Sequence, residues 1–239
     1  MRKIIFSVFI LFVFACFVSC DDDDPTPQGY GDAYVISKLS DTGEEGAEPT
    51  VVYGLYMQAG ALYGTLSSVN VAAGTSSYTL TKNSNTGVFE YETNYSTNVP
   101  AEGNYIFSYT FTTGENSSSS DALTDDVLIP ATITTSAFSN DEIDLEWDEV
   151  EDADATYVLL RDADGDLVFS SVVNSYLAGD ETEYTISRSA GAWDSDHTMT
   201  DGATYTVEIV ALMADNVGSF QAMSIGSTTV VWGEETGDE

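Results

Sequence analysis

Positive charge is nearly missing from this chain of 239 residues, in which Lys and Arg total 6 against 40 Asp and Glu. Arg2 and Lys3 stand at the extreme N-terminus, so the body carries only Lys38, Lys82, Arg161 and Arg188. Phosphate backbones are held by clustered cations that release counterions, and four scattered ones exclude nucleic acid as a partner. Anionic lipid faces are disfavoured for the same reason. Histidine occurs once, at His197, so any Ser-His-Asp or Cys-His arrangement would have to use it, and zinc would lack a second nitrogen or a cysteine cluster. Both cysteines, Cys16 and Cys20, fall near the N-terminus, which leaves the body without a disulfide. Amphipathic helical periodicity is missing too.

What is present begins with an address. Met1-Arg2-Lys3 forms a short basic start, Ile4 to Val18 an almost unbroken apolar stretch, and Phe17-Val18-Ser19-Cys20 ends in a small residue followed by cysteine. The stretch is about 15 residues long, short of the roughly 20 that cross a bilayer as a helix. This segment resembles a bacterial lipobox. The resemblance implies that residues 1–19 are a signal peptide, that Cys16 leaves with it, and that Cys20 becomes the acylated first residue of a membrane-anchored protein. Asp21, Asp22, Asp23 and Asp24 resemble the acidic export signal of Bacteroidota surface lipoproteins, which implies a cell-surface position at the outer membrane. The same tetrad beside Pro25, Thr26 and Pro27 also reads as a solvated, self-repelling tether, and 20–30 is expected to be disordered.

From about residue 30 short runs rich in Val, Ile, Tyr, Phe and Thr alternate with Gly, Asn, Asp and Ser clusters, the pattern of an all-β chain. Expected strands include Ala33 to Leu39, Val51 to Gln58, Tyr78 to Lys82, Val88 to Tyr95 and Tyr105 to Thr112. Tyr105, Phe107, Tyr109 and Phe111 alternate with Ile106, Ser108 and Thr110, which predicts one aromatic face. Gly114-Glu115-Asn116 and the run Ser117 to Ser120 read as a loop. A linker at Val127-Leu128-Ile129-Pro130 divides the body into domains at 31–127 and 128–232, each about 100 residues, followed by an acidic tail at 233–239.

The second half resembles a fibronectin type III domain. Ile143 to Trp147 fits strand B with its core tryptophan, Tyr157 to Arg161 strand C, Tyr184 to Ile186 strand E, and Ser227 to Trp232 the last strand. Asp201-Gly202-Ala203-Thr204-Tyr205 followed by Thr206 to Ala211 fits the turn and strand F, with Tyr205 at the tyrosine-corner position. Glu102-Gly103-Asn104-Tyr105 echoes that segment about 100 residues earlier, the spacing of one sandwich. The expectation is therefore two tandem immunoglobulin-like, fibronectin type III-like β-sandwiches.

Chemistry is sparse. His197 lies in a loop that also holds Trp193, Asp194 and Asp196. A tryptophan ring beside two carboxylates could stack on a sugar and accept its hydroxyl hydrogens, or simply anchor the loop, so these three are candidate ligand-binding residues. Asp162-Ala163-Asp164-Gly165-Asp166 sets three carboxylates around a glycine. Asp162, Asp164 and Asp166 are candidate Ca²⁺ ligands, although glycine is fourth and no helix flanks them, unlike an EF-hand, and Asp-Gly between apolar runs is also a hairpin signal. Glu149, Glu151, Asp152 and Asp154 form a second acidic stretch, read as a solvated loop. The tyrosines around Tyr53, Tyr56 and Tyr63 read as sandwich surface or a contact patch.

The sequence thus points to a non-catalytic, lipid-anchored surface module that binds or spaces, in the setting of glycan capture or adhesion, with a glycan or an envelope protein as partner. No catalytic residue and no required cofactor is assigned. Two other classes stay open: a calcium-dependent glycan-binding module, and a glycan-processing hydrolase, which would need two carboxylates at a fixed separation across a cleft.

Overall fold

The computed structural model describes residues 25–40, 49–173, 175–215 and 219–233. Over them the chain is all-β. The first half contributes β1 (Gln28–Ser40), β2 (Thr50–Tyr63), β3 (Leu66–Ala73), β4 (Ser76–Thr79), β5 (Thr81–Lys82), β6 (Phe89–Glu92), β7 (Gly103–Phe111) and β8 (Asn116–Leu123). The second contributes β9 (Ile133–Ser139), β10 (Glu142–Trp147), β11 (Ala155–Arg161), β12 (Leu167–Ser170), β13 (Leu177–Ala178), β14 (Glu183–Ser187), β15 (Thr204–Ala214) and β16 (Phe220–Val231).

Both halves are wired alike. In the first, β1-β2-β6-β5 faces β4-β3-β7-β8; in the second, β14-β10-β9 faces β12-β11-β15-β16. The first, second and fifth or sixth strands of each half thus share one layer, and the last two long strands lie in the other. Each sandwich closes on its own core. Val35, Leu55, Met57, Val69, Phe107, Tyr109 and Phe111 fill the first, and Trp147, Val158, Leu160, Ile186, Val207, Ile209 and Trp232 fill the second. The alternation along β7 puts Tyr105, Phe107, Tyr109 and Phe111 inside and leaves Ile106 exposed, as a two-residue period requires. Burying each large apolar side chain contributes roughly 1.5–3 kcal/mol.

The halves do not hang as separate beads. β16 pairs in parallel with β1, from Val35↔Ala222 to Lys38↔Ile225, so one nine-stranded sheet runs through both sandwiches. The connection at Val127-Leu128 is drawn into this seam. Leu128 is buried, and the Ser37 hydroxyl donates to its carbonyl at 2.5 Å. Gln221 spans the seam with its amide, accepting from the Thr124 N–H and donating to the Thr124 carbonyl, each at 3.3 Å.

Three local expectations are corrected. The Ser117 to Ser120 run is not a loop but the middle of β8, in register with β7 from Thr110↔Asn116 to Gly103↔Leu123. Weak strand propensity is overridden there by the backbone ladder, by Asp121 and Leu123 turned inward, and by a 2.5 Å bond between the Ser119 and Tyr109 hydroxyls. Strand β1 starts at Gln28, inside the span expected to be disordered. Gly29 and Gly31 permit this by lying under aromatic rings: a Cβ on Gly31 would sit 2.3 Å from Phe107 Cδ1. The strand expected over Tyr78 to Lys82 is split at buried Leu80, where the chain leaves one sheet (β4) and joins the other (β5).

Candidate functional site

Cys20 and Asp21 to Asp24 lie outside the described residues, as does the acidic tail beyond Gly233. The remaining metal and ligand candidates fall at two places in the second sandwich, while Tyr53, Tyr56 and Tyr63 lie on β2 of the first.

Asp162 to Asp166 connects β11 to β12 as a tight hairpin. Asp162 Oδ1 accepts the backbone N–H of Asp164 at 3.0 Å and of Asp166 at 2.9 Å, Gly165 adopts φ 80°, and Arg161 Nη1 donates to the Gly165 carbonyl. The Asp162 carboxylate is thus occupied in closing the turn, the usual work of an aspartate in such a position. Among the described residues no group of three or more His, Cys, Asp or Glu side chains is placed to hold a metal ion, so the structure does not gather Asp162, Asp164 and Asp166 around one point.

Trp193 sits on a β-bridge to Phe169, half-buried. Its ring meets Phe169 edge-on at 5.0 Å and Trp232 at 5.8 Å, while His197 lies parallel to it at 6.4 Å. Its Nε1–H donates to the Ser187 carbonyl at 2.9 Å. Asp194 Oδ1 accepts the N–H of Asp196, which ties those two together in a turn. His197 Nε2 is 3.1 Å from the Tyr205 hydroxyl. The loop is therefore pinned by its tryptophan, and the Trp193 N–H a sugar would use is already engaged. A shallow apolar depression of about 350 Å³ lies beside it, lined by Leu167, Val173 and Trp193 among others.

Tyr205 does not close the expected tyrosine corner; its hydroxyl instead meets His197. The corner is built in the first sandwich, where the Tyr105 hydroxyl donates to the Ala101 carbonyl four residues upstream at 3.0 Å. The Glu102 to Tyr105 echo marks this position.

Two features were not read from the sequence. Asp32 on β1 and Asp121 on β8 are both buried, at 7% and 8% exposure, beside the seam. Asp121 accepts the N–H of Ala33 at 2.8 Å and of Ala122 at 3.0 Å. Asp32 Oδ2 has only long contacts, 3.4 Å each, from Gln58 Nε2 and the Phe220 N–H, and its Oδ1 is buried without a partner among the described residues. Burial first, and then the charge of Asp121, push the Asp32 carboxyl up to about 7. Burial likewise raises Asp121, with Asp215 adding to it.

The second feature is a cleft of about 470 Å³ at the end of the first sandwich, between the β3–β4 turn and the 93–104 loop. Tyr53 and Tyr78 give it aromatic surface, Asn94, Asn98 and Asn104 bring amides, and Glu102 is its one charged lining residue. Two backbone bonds between Tyr53 and Ser96, at 2.7 and 3.0 Å, fix one wall, and the Tyr105 corner fixes the other. Asparagine-rich loops carry no spacing signal, so of the lining residues only Tyr53 was read as part of a contact patch.

No family model matches the chain, and no curated protein does. Among solved structures it is similar to the BSP domain of a biofilm-associated protein, at 14% identity and TM-score 0.26, covering 77% of this chain and 28% of that one. A two-domain fibronectin type III segment of chicken tenascin shows 11% identity and TM-score 0.30, covering 77% of this chain and 95% of that one. A β-glucuronidase from Ruminococcus gnavus shows 10% identity and TM-score 0.27, covering 90% and 47%. The chain thus spans little more than a quarter of the biofilm protein's length. Likeness at this level carries no function across.

Proposed function

We propose that this chain is a non-catalytic surface module, anchored to a bacterial outer membrane through acylated Cys20 and an acidic tether, that holds a binding face away from the membrane. The observation that carries the reading is the parallel β1–β16 pairing, which joins two sandwiches, each with its own core, into one continuous sheet. A freely jointed pair would need only a linker; a shared sheet resists bending and suits a spacer. The leader and the aspartate tetrad support the anchor and the surface address. Loops at the sandwich ends, positioned by rigid sheets, are where recognition is expected. His197, the one histidine, is engaged with Tyr205 and stacked on Trp193, which suits a structural role better than general-base work.

The test is fractionation of cells expressing the full chain or Cys20→Ser. The wild-type protein is expected in the membrane fraction and accessible to protease on intact cells, and the variant is expected to lose the membrane. A wild-type protein recovered free of membranes would refute the anchor.

A further inference from the structure

The cleft at the end of the first sandwich has a donor and acceptor set that nothing among the described residues uses. Asn94, Asn98 and Asn104 each present an amide beside the Tyr53 and Tyr78 phenols, and none of these amides or hydroxyls makes a hydrogen bond to another side chain or backbone group among the described residues; the Tyr78 ring leans on Tyr91 at 5.4 Å, and its phenol neighbours that of Tyr105. Each amide offers two N–H donors and a two-lone-pair acceptor, which matches a hydroxyl that must both give and take a hydrogen bond. Tyrosine faces supply apolar surface for the C–H face of a pyranose ring. The walls need no ordering on binding. Ser96 Oγ donates to the Asn98 carbonyl at 3.2 Å and accepts its N–H at 3.3 Å, Thr93 Oγ1 accepts the Leu55 N–H at 2.8 Å, and Tyr53 and Ser96 are bridged in both directions. A pre-formed site loses little affinity to immobilisation.

Charge selects within this class. No cation lines the cleft and Glu102 does, in a chain of net charge −34, so uronates, sulfated sugars and phosphorylated ligands meet repulsion without a counter-charge. A peptide adding as a strand would need an open backbone at Tyr53, and Ser96 already fills it. We infer that the cleft binds a neutral oligosaccharide, stacked on Tyr78 and Tyr53 and held by the Asn94, Asn98 and Asn104 amides. This rests on the proposed binding role, and it puts the sugar site in the first sandwich rather than at Trp193.

The test is calorimetric titration of the full chain with neutral gluco-, manno-, galacto- and xylo-oligosaccharides and with an oligogalacturonate. Saturable binding of at least one neutral series is expected, with none of the uronate. Tyr78→Ala and, on the exposed loop, Asn98→Ala should each weaken it by roughly tenfold, the size of one lost stacking or hydrogen-bond contact. Trp193→Ala should leave it unchanged. Thermal melts confirm folding of each variant, and Asn98→Ala keeps the test sound should Tyr78→Ala melt early. Binding lost with Trp193→Ala and retained in both cleft variants would overturn the site while leaving a glycan-binding role in place. Silence from every neutral series would overturn the saccharide inference, whereas the anchor and spacer reading stands or falls on fractionation.

Discussion

Replacing Asp32 with Asn removes a buried charge from the seam without changing the shape of the side chain. The group is held at about 7 against the usual 3.8, chiefly by burial and then by Asp121. A tenfold change in an ionisation constant corresponds to about 1.4 kcal/mol, so a fully ionised Asp32 costs the folded state on the order of 4 kcal/mol. Below about pH 4 both folded and unfolded chains carry the proton and no penalty arises. Between about 4 and 7 the unfolded chain ionises while the folded one keeps its proton, so stability falls as pH rises, and the loss is complete above about 7. Urea unfolding followed by circular dichroism at pH 4.5, 6 and 8 should show this decline in the wild type. General repulsion among 40 acidic residues slopes the same way, so the deciding quantity is the difference between wild type and Asp32→Asn. That difference is expected to shift by about 3 kcal/mol in favour of the variant between pH 4.5 and pH 8, because the penalty is only about 1 kcal/mol at the lower pH and about 4 kcal/mol at the higher. A variant equally destabilised at both pH values would show that the carboxylate is needed in its charged form, and would refute the reasoning.

Gly31→Ala should destabilise by about 1–3 kcal/mol in urea melts, because its Cβ would meet the Phe107 ring at 2.3 Å across a packed core; an unchanged midpoint would mean the layers are looser than described. Tyr105→Phe should cost about 0.5–1.5 kcal/mol through loss of the bond to Ala101, measured the same way. Asp162→Ala should lower the melting temperature by opening the β11–β12 turn. Millimolar Ca²⁺ is expected to give the wild type no rise in melting temperature that Asp162→Ala abolishes; such a rise would establish Asp162 as a calcium ligand.

The fold was legible wherever short-range pattern determines structure. Alternation from Tyr105 to Phe111 fixes which face of β7 is buried, and the runs at Ile143 to Trp147 and Tyr157 to Arg161 coincide with β10 and β11. Long-range pairing left no such trace. The contact of Val35 with Ala222 depends on two strands whose own sequences fit an ordinary sandwich equally well, so nothing local announces that the sheet continues. The serine run misled because side-chain propensity is weak evidence for an edge strand whose backbone partner, β7, is strongly apolar. Asp32 was lost among 40 acidic residues, since burial is what distinguishes it and a solvated aspartate looks the same in sequence. The tyrosine corner was expected at Tyr205 and forms instead at Tyr105, within the segment whose sequence echoes it; the diversion of Tyr205 to His197 depends on how a loop folds back.

The most direct test of the central claim is the distance between spin labels placed on the exposed positions Ser118, in β8, and Asp164, in the β11–β12 hairpin, read by double electron–electron resonance on the full chain. A sheet that runs unbroken from β12 to β5 predicts one narrow distance distribution that broadens when Ser37→Pro removes a donor within the β1–β16 pairing. A broad distribution in the unmodified chain would contradict it, leaving two sandwiches on a hinge and no rigid spacer.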